Sequence, residues 1–143
     1  MQVELKSPTT DADWATYHAI RRRVLFELRG NGSAYDEHHP DETRPGHHPL
    51  MLWVAATPVG TIRIDVDGAR AIFRRVAIRE DLQRRGYGRR LLEAAEQFAR
   101  QQHCTRIESY VDPNAVGFYE RCGFGHVSAG SSLAATLMTK DLS

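Results

Sequence analysis

Cysteine is scarce: Cys104 and Cys122 are the only two in 143 residues. Two thiols do not build a disulfide framework, and the expectation is a reducing compartment. A dominant charge is missing as well. Nineteen Lys and Arg face eighteen Asp and Glu, a formal charge of +1. No global field draws such a chain to nucleic acid, so any basic function must be local. No run approaches the roughly 18 apolar residues that span a bilayer. The opening MQVELKSPTTDADW holds no apolar segment of signal-peptide length. These absences lead to the expectation of a cytoplasmic protein without a membrane partner. Repeats and low-complexity tracts are absent too. The length suits one domain, residues 1–143, with a buried core.

What is present alternates between strand and helix patterns. Residues 2–6 read as a strand. Thr10 or Asp11 caps a helix expected to run to about Leu28, with Trp14, Tyr17, Ile20, Val24, Leu25 and Leu28 as its apolar stripe and Gly30 as its stop. Residues 30–49 read as a long polar loop, a length that is uncommon unless functional or mobile. Strands are expected at 50–56 and 59–66, joined through Thr57-Pro58. The Asp67-Gly68 turn then leads to a third strand at 70–78, giving an antiparallel meander. A helix from about Gly86 to Gln102 buries Leu91, Leu92, Ala95, Phe98 and Ala99. A strand at 105–111 comes next, then a short helix at 114–122 with Asn114 as N-cap and Gly123 as stop. Strands at 124–128 and 133–139 close the chain. The strand–helix–strand unit at 71–111 requires a parallel pair, so the class is a mixed α/β sheet.

The stretch QRRGYGRR at 83–90 is unusual. Arg84, Arg85, Arg89 and Arg90 crowd the start of a helix, where the macrodipole disfavours cations. Glycines let a backbone approach a ligand closely, and free amides at a helix start favour an anion. A phosphate or pyrophosphate held there, with arginines assisting, explains the arrangement. A solvated basic face explains it too. The pattern is neither the dinucleotide fingerprint nor a P-loop.

A second segment, NAVGFYERCGF at 114–124, adds to the first. Together with RRVAIREDLQRRGYGRRLLEAAEQFA at 74–99 it resembles the GNAT superfamily of N-acetyltransferases; RRRVLFE at 21–27 and VGTIR at 59–63 match more weakly. The resemblance implies a twisted, mostly antiparallel sheet with a central splayed parallel pair, flanked by helices. It implies acetyl-CoA as acyl donor and an amine of a small molecule or peptide as acceptor. Val76, Ala77 and Ile78 would meet the pantetheine arm and acetyl carbonyl. Gln83, Arg84, Arg85, Gly86, Tyr87, Gly88 and Arg89 would surround the pyrophosphate. Asn114 would contact the cofactor arm beside Phe118, which otherwise reads as core.

The same resemblance makes Tyr119 the general acid for the departing thiolate; packing alone is the plainer alternative. Glu27 matches a glutamate of the family's first helix and is a candidate base, or simply a solvated helix end. Tyr110 and Glu108 are candidates for the substrate wall, and a water relay could replace any single base. His38, His39, His47 and His48 stand among acidic residues, but without zinc-finger or helical spacing; a substrate rim or solvated lid, and no metal, is expected. Its acidic members could attract a cationic amine. Two other readings stay open: a CoA-binding protein without catalysis, and a nucleic-acid module using Arg84–Arg90 with Arg74, Arg75 and Arg79. Homodimerisation through the last strand is possible.

Overall fold

The computed structural model describes residues 2–127 and 135–142. Seven strands form one sheet: β1 (Val3–Lys6), β2 (His47–Val54), β3 (Thr57–Asp67), β4 (Arg70–Ile78), β5 (Arg106–Val111), β6 (Gly125–His126) and β7 (Thr136–Asp141). Their spatial order is β1-β2-β3-β4-β5-β7-β6. Every neighbouring pair is antiparallel except β4 and β5. The crossover between those two is helix α2 (Tyr87–Gln101), as a parallel pair demands. Leu91, Leu92, Ala95 and Ala99 of α2 are buried against the sheet, with Leu52, Ile62, Ile64, Phe73 and Ile107 in the same core.

Helix α1 (Asp11–Arg21) begins at Thr10, whose side chain accepts from Asp13 N at 3.0 Å. It does not continue to Leu28. Residues Arg22–Phe26 form one wide π-helical turn, with Glu27 N reaching back to Arg22 O, and Glu27–Arg29 tighten into a 3-10 turn. The extra residue in that turn rotates the chain beyond it, so Leu28 leaves the apolar stripe and is 45% exposed. Gly30 ends the segment at φ 75, as expected.

The loop after it is shorter than 30–49. It contains 3-10 turns at Gly32–Ala34 and Pro40–Thr43, and β2 already starts at His47. The β2–β3 link turns at Ala55–Ala56, while Thr57 and Pro58 belong to β3. At the far end, Asp112 rather than Asn114 makes the cap. Its Oδ1 accepts from Asn114 N at 2.9 Å, and α3 (Val116–Arg121) starts two residues later without a side-chain cap. The aspartate before the proline thus takes the role assigned to Asn114. Of the two expected closing strands, residue 128 and residues 133–134 lie outside the described residues.

The loop is pinned to α1 by a buried polar group. Arg21 Nη1 donates to Tyr17 Oη at 3.0 Å and pairs with Glu42, which also accepts from the Tyr17 hydroxyl. All three are nearly inaccessible. Burial alone would raise the Glu42 pKa, but Arg21 and Tyr17 outweigh it and the net displacement is downward. This carboxylate is therefore an anchor, not a free charge on a lid.

Candidate active site

Strands β4 and β5 pair only from Arg70↔Arg106 to Phe73↔Ser109. Beyond that register β4 continues to Ile78 and β5 to Val111, and the two part. A bulge in β4 drives the parting. Thr61 faces Ala77 and Arg63 faces Arg74, so β4 holds one more residue than β3 between those pairs. Arg75 absorbs it at φ 59, a left-handed conformation uncommon outside glycine. The bulge also switches the pleat. Ala71 and Phe73 belong to the main core, and after it Val76 and Ile78 do, whereas Ala77 turns to Ile20 and Leu25 on the α1 side.

The parted strands open a cleft of about 750 Å³. Val76, Ala77, Ile78, Gln83, Arg84, Gly88, Tyr110, Asn114, Phe118 and Tyr119 line it, so the structure brings together most of the residues singled out in the sequence. Val24 and Leu25, carried by the π-turn, form another wall. At one end lies the start of α2. Arg84 and Gly86 are both left-handed, at φ 65 and 86, and no side chain caps the helix. Uncapped first-turn amides beside left-handed residues make an anion-binding concavity. Gly88 faces Phe118: a Cβ there would lie 3.2 Å from its Cζ.

Other predicted residues lie apart from the cleft wall. The side chain of Arg89 turns away and donates to Arg121 O at 3.0 Å. Arg85 is exposed, Tyr87 packs against the core, and Gly86 contributes backbone shape only. Arg74 is bound to Asp65 at 2.9 Å and Arg79 to Asp81 at 2.8 Å, so the basic patch of the nucleic-acid alternative is broken up by ion pairs.

Tyr119 sits in the throat of the cleft, 7% exposed. Its ring is held edge-on by Phe118 at 5.7 Å and Phe124 at 5.2 Å. Burial pushes its pKa up to about 12, against a smaller opposing effect of its hydrogen bond with Ser109. The hydroxyl is thus a proton holder at neutral pH. Ser109 Oγ in turn donates to Phe73 O at 3.2 Å, at the last paired rung before the strands part. Sequence reasoning missed Ser109. The available signal was a lone hydroxyl on the buried face shared by Ile107 and Val111.

A second cavity, of about 760 Å³, adjoins the first and shares Phe73, Arg75 and Tyr110 with it. Its far wall is the 34–47 segment, including Tyr35, His39, Glu42 and His47. Tyr110 lies at the junction, 49% exposed. Glu108 does not line either cavity. It is clamped by Arg70 at 3.1 Å and Arg106 at 2.9 Å. Glu27 also lies outside both and pairs with Arg23 at 3.6 Å. Among the described residues no group of three or more His, Cys, Asp or Glu is placed to hold a metal. No described helix is long and apolar enough to cross a membrane.

This architecture recurs in known proteins. A Bacillus subtilis protein provisionally named an acetyltransferase is 27% identical over 142 residues, covering 96% of each chain. The crystal structure of a protein provisionally named an N-acetyltransferase from Lactobacillus plantarum superposes with a TM-score of 0.82 at 28% identity, over 99% of this chain and 98% of that one. The Thermoplasma acidophilum PaiA N-acetyltransferase, solved in complex with coenzyme A, shares the fold with a TM-score of 0.74 at 18% identity, over 99% of each chain. The sequence profile of the acetyltransferase (GNAT) family matches residues 12–124. With a splayed parallel strand pair at its centre, the chain belongs to the GNAT family and is an N-acetyltransferase.

Proposed function

We propose that the 750 Å³ cleft takes acetyl-CoA and that the adjoining cavity takes the amine that receives the acetyl group. The observation that carries this reading is the parting of β4 and β5 at Phe73/Ser109, which opens onto Tyr119 and onto the uncapped start of α2. The residues present suit the donor. The amides from Arg84 to Arg89 would hold its pyrophosphate, with the Arg84 side chain on the cleft wall adding charge. The backbone of Val76 and Ile78, freed from pairing with β5, would meet the pantetheine arm, with Asn114 and Phe118 on the other side. Acetyl-CoA, when bound, supplies an acetyl group on a thioester.

The chain contributes placement, polarisation and a proton. Two reactants held in adjoining cavities meet at the shared wall of Phe73, Arg75 and Tyr110, which removes the entropic cost of their encounter. A backbone amide of the bulged β4 segment can donate to the acetyl oxygen. Tyr119 Oη holds the proton that the departing sulfur requires, and its raised pKa keeps that proton in place until then. Neither Glu27 nor Glu108 lines the cavities, so neither takes the amine proton; solvent in the acceptor cavity and its His39 and His47 are the acceptors at hand. Leu25, Val24 and Phe118 make part of the cleft wall apolar.

Calorimetric titration with acetyl-CoA, with 3′-dephospho-CoA for comparison, tests the donor assignment. Micromolar binding of acetyl-CoA is expected, with the pyrophosphate carrying most of it. If neither ligand binds, the assignment is wrong and the arginine-rich helix start needs another explanation.

A further inference from the structure

Among the described residues Arg75 is the arginine of the acceptor cavity whose side chain has no partner carboxylate. The bulge places it at the junction of the two cavities, and it lines both. Among the described residues it has neither an ion pair nor a hydrogen bond; its guanidinium carbon lies 5.3 Å from the centre of the Phe26 ring. The other arginines of the acceptor cavity are engaged. Arg21 pairs with Glu42, and Arg44 with Asp41 at 2.8 Å. Arg63 grips Asp65 at 2.8 and 3.0 Å, and Arg74 shares that carboxylate at 2.9 Å.

Most of the cavity's carboxylates are accordingly paired. Asp67 is taken by Arg70 at 2.9 Å, and Asp36 accepts from the amide of His38 at 2.9 Å. In the acidic loop expected to attract a cationic amine, Asp41 and Glu42 are neutralised by Arg44 and Arg21, which leaves Asp36, among the described residues, as the loop carboxylate on the cavity wall without an arginine partner. Arg75, by contrast, feels partial burial first and then repulsion from Arg21, Arg63, Arg29 and Arg74, all of which disfavour its charge. A guanidinium cannot shed its proton in a protein. An anion beside it would relieve that repulsion.

We propose that Arg75 binds an anionic group of the acceptor, so that the amine acetylated carries a carboxylate or phosphonate a few bonds from its nitrogen. This rests on the assignment of the two cavities to donor and acceptor. The planar fork of an arginine matches both oxyanions in a two-point contact. Arg75 precedes Val76, whose backbone lies along the acyl arm in that assignment, so an anion held by Arg75 keeps its own amine near the acyl carbon. A polyamine would bring a second cation to the unpaired guanidinium of Arg75 and gain no such contact there.

The test is a set of matched acceptors titrated into protein saturated with CoA and, separately, assayed for thiol release from acetyl-CoA. The set contains α-amino acids with their carboxamides, 2-aminoethylphosphonate with ethanolamine, and putrescine. Anionic members should bind and turn over in preference to their neutral partners, and the two arms separate carboxylate from phosphonate. Arg75→Gln should weaken the preferred anionic acceptor roughly ten- to hundredfold, the size expected for one lost charged hydrogen-bonding contact. Arg75→Lys should recover part of it. Equal or better binding of the neutral or cationic members overturns the inference. So does unchanged affinity in Arg75→Gln, or a panel in which nothing binds although CoA does. Failure of CoA itself to bind sinks the donor assignment instead, and the two failures are told apart by the first titration.

Discussion

Tyr119→Phe removes one oxygen from the throat of the cleft and leaves the rest in place. The ring stays wedged between Phe118 and Phe124, at 5.7 and 5.2 Å. Ser109 keeps its acceptor at Phe73 O, 3.2 Å away, so one side of its hydroxyl remains satisfied. Loss of a single buried hydrogen bond costs about 1 kcal/mol of stability, which a domain of this size withstands. Loss of a general acid costs about 10²- to 10³-fold in kcat, or about 3–4 kcal/mol of barrier. Acetyl-CoA affinity should move little, because the hydroxyl acts on the sulfur late in the reaction and not on the bound thioester. Thiol release measured at saturating acceptor, with calorimetry on the same variant, separates these quantities. The wild-type kcat should show no ionisation of Tyr119 between about pH 6 and 9, since burial holds its pKa at about 12. A variant with near-normal kcat would remove the acid role. A parallel fall in kcat and in donor affinity would show that the tyrosine merely shapes the cleft.

Packing and charge give two more expected outcomes. Gly88→Leu places a Cβ about 3.2 Å from Phe118 Cζ and directs a side chain into the cleft. The Phe118 ring must yield to that Cβ, so urea unfolding should lose about 1 kcal/mol or more, while the acetyl-CoA Kd should rise about ten- to hundredfold, roughly 1–3 kcal/mol; an unchanged Kd would move the donor elsewhere. Glu42→Gln strands the buried Arg21 and should cost about 3–5 kcal/mol in urea unfolding. Because the folded Glu42 pKa is depressed, its contribution is complete above the unfolded value of 4.5 and drains as pH falls through the folded one. Wild type and variant should therefore converge in acid; a gap that persists to the lowest pH would mean that the carboxylate's charge is not what anchors the loop.

Long periodic segments are the legible part of this chain. α2 is readable because four buried positions recur on one face, and β4 because a strong turn at Asp67-Gly68 fixes its start. The parallel pair is implied by the length of the crossover between β4 and β5. The misread helix and cap differ from expectation by small local shifts. The π-turn at Arg22–Phe26 keeps the same sequence as a helix and shows only in where Leu28 points. The cap passes from Asn114 to Asp112 because two acceptors stand within three residues, and sequence alone does not choose between them. The cleft residues are found largely through motif resemblance, whereas Ser109 and the engagement of Glu42 and Glu108 depend on partners far along the chain. Carboxylates that look available for substrate are consumed by arginines that the sequence does not place beside them.

The single extra residue in β4 has a bearing on how this enzyme could change. Since Arg75 takes no part in the alternation that seats Phe73 before it and Val76 after it, its side chain can be exchanged without repacking either layer. Its length allotment has a different role: deleting one residue there would restore strict alternation with Val76 and Ile78 still facing the core, but would remove the bulge that lies where β4 leaves β5. Acceptor preference can thus drift at position 75 while the sheet stays constant. The backbone narrows that drift, because φ 59 suits glycine, asparagine and unbranched side chains and excludes valine, isoleucine and threonine. A saturation library at this one codon should therefore yield folded proteins of varied selectivity, with the β-branched members as the consistent losses.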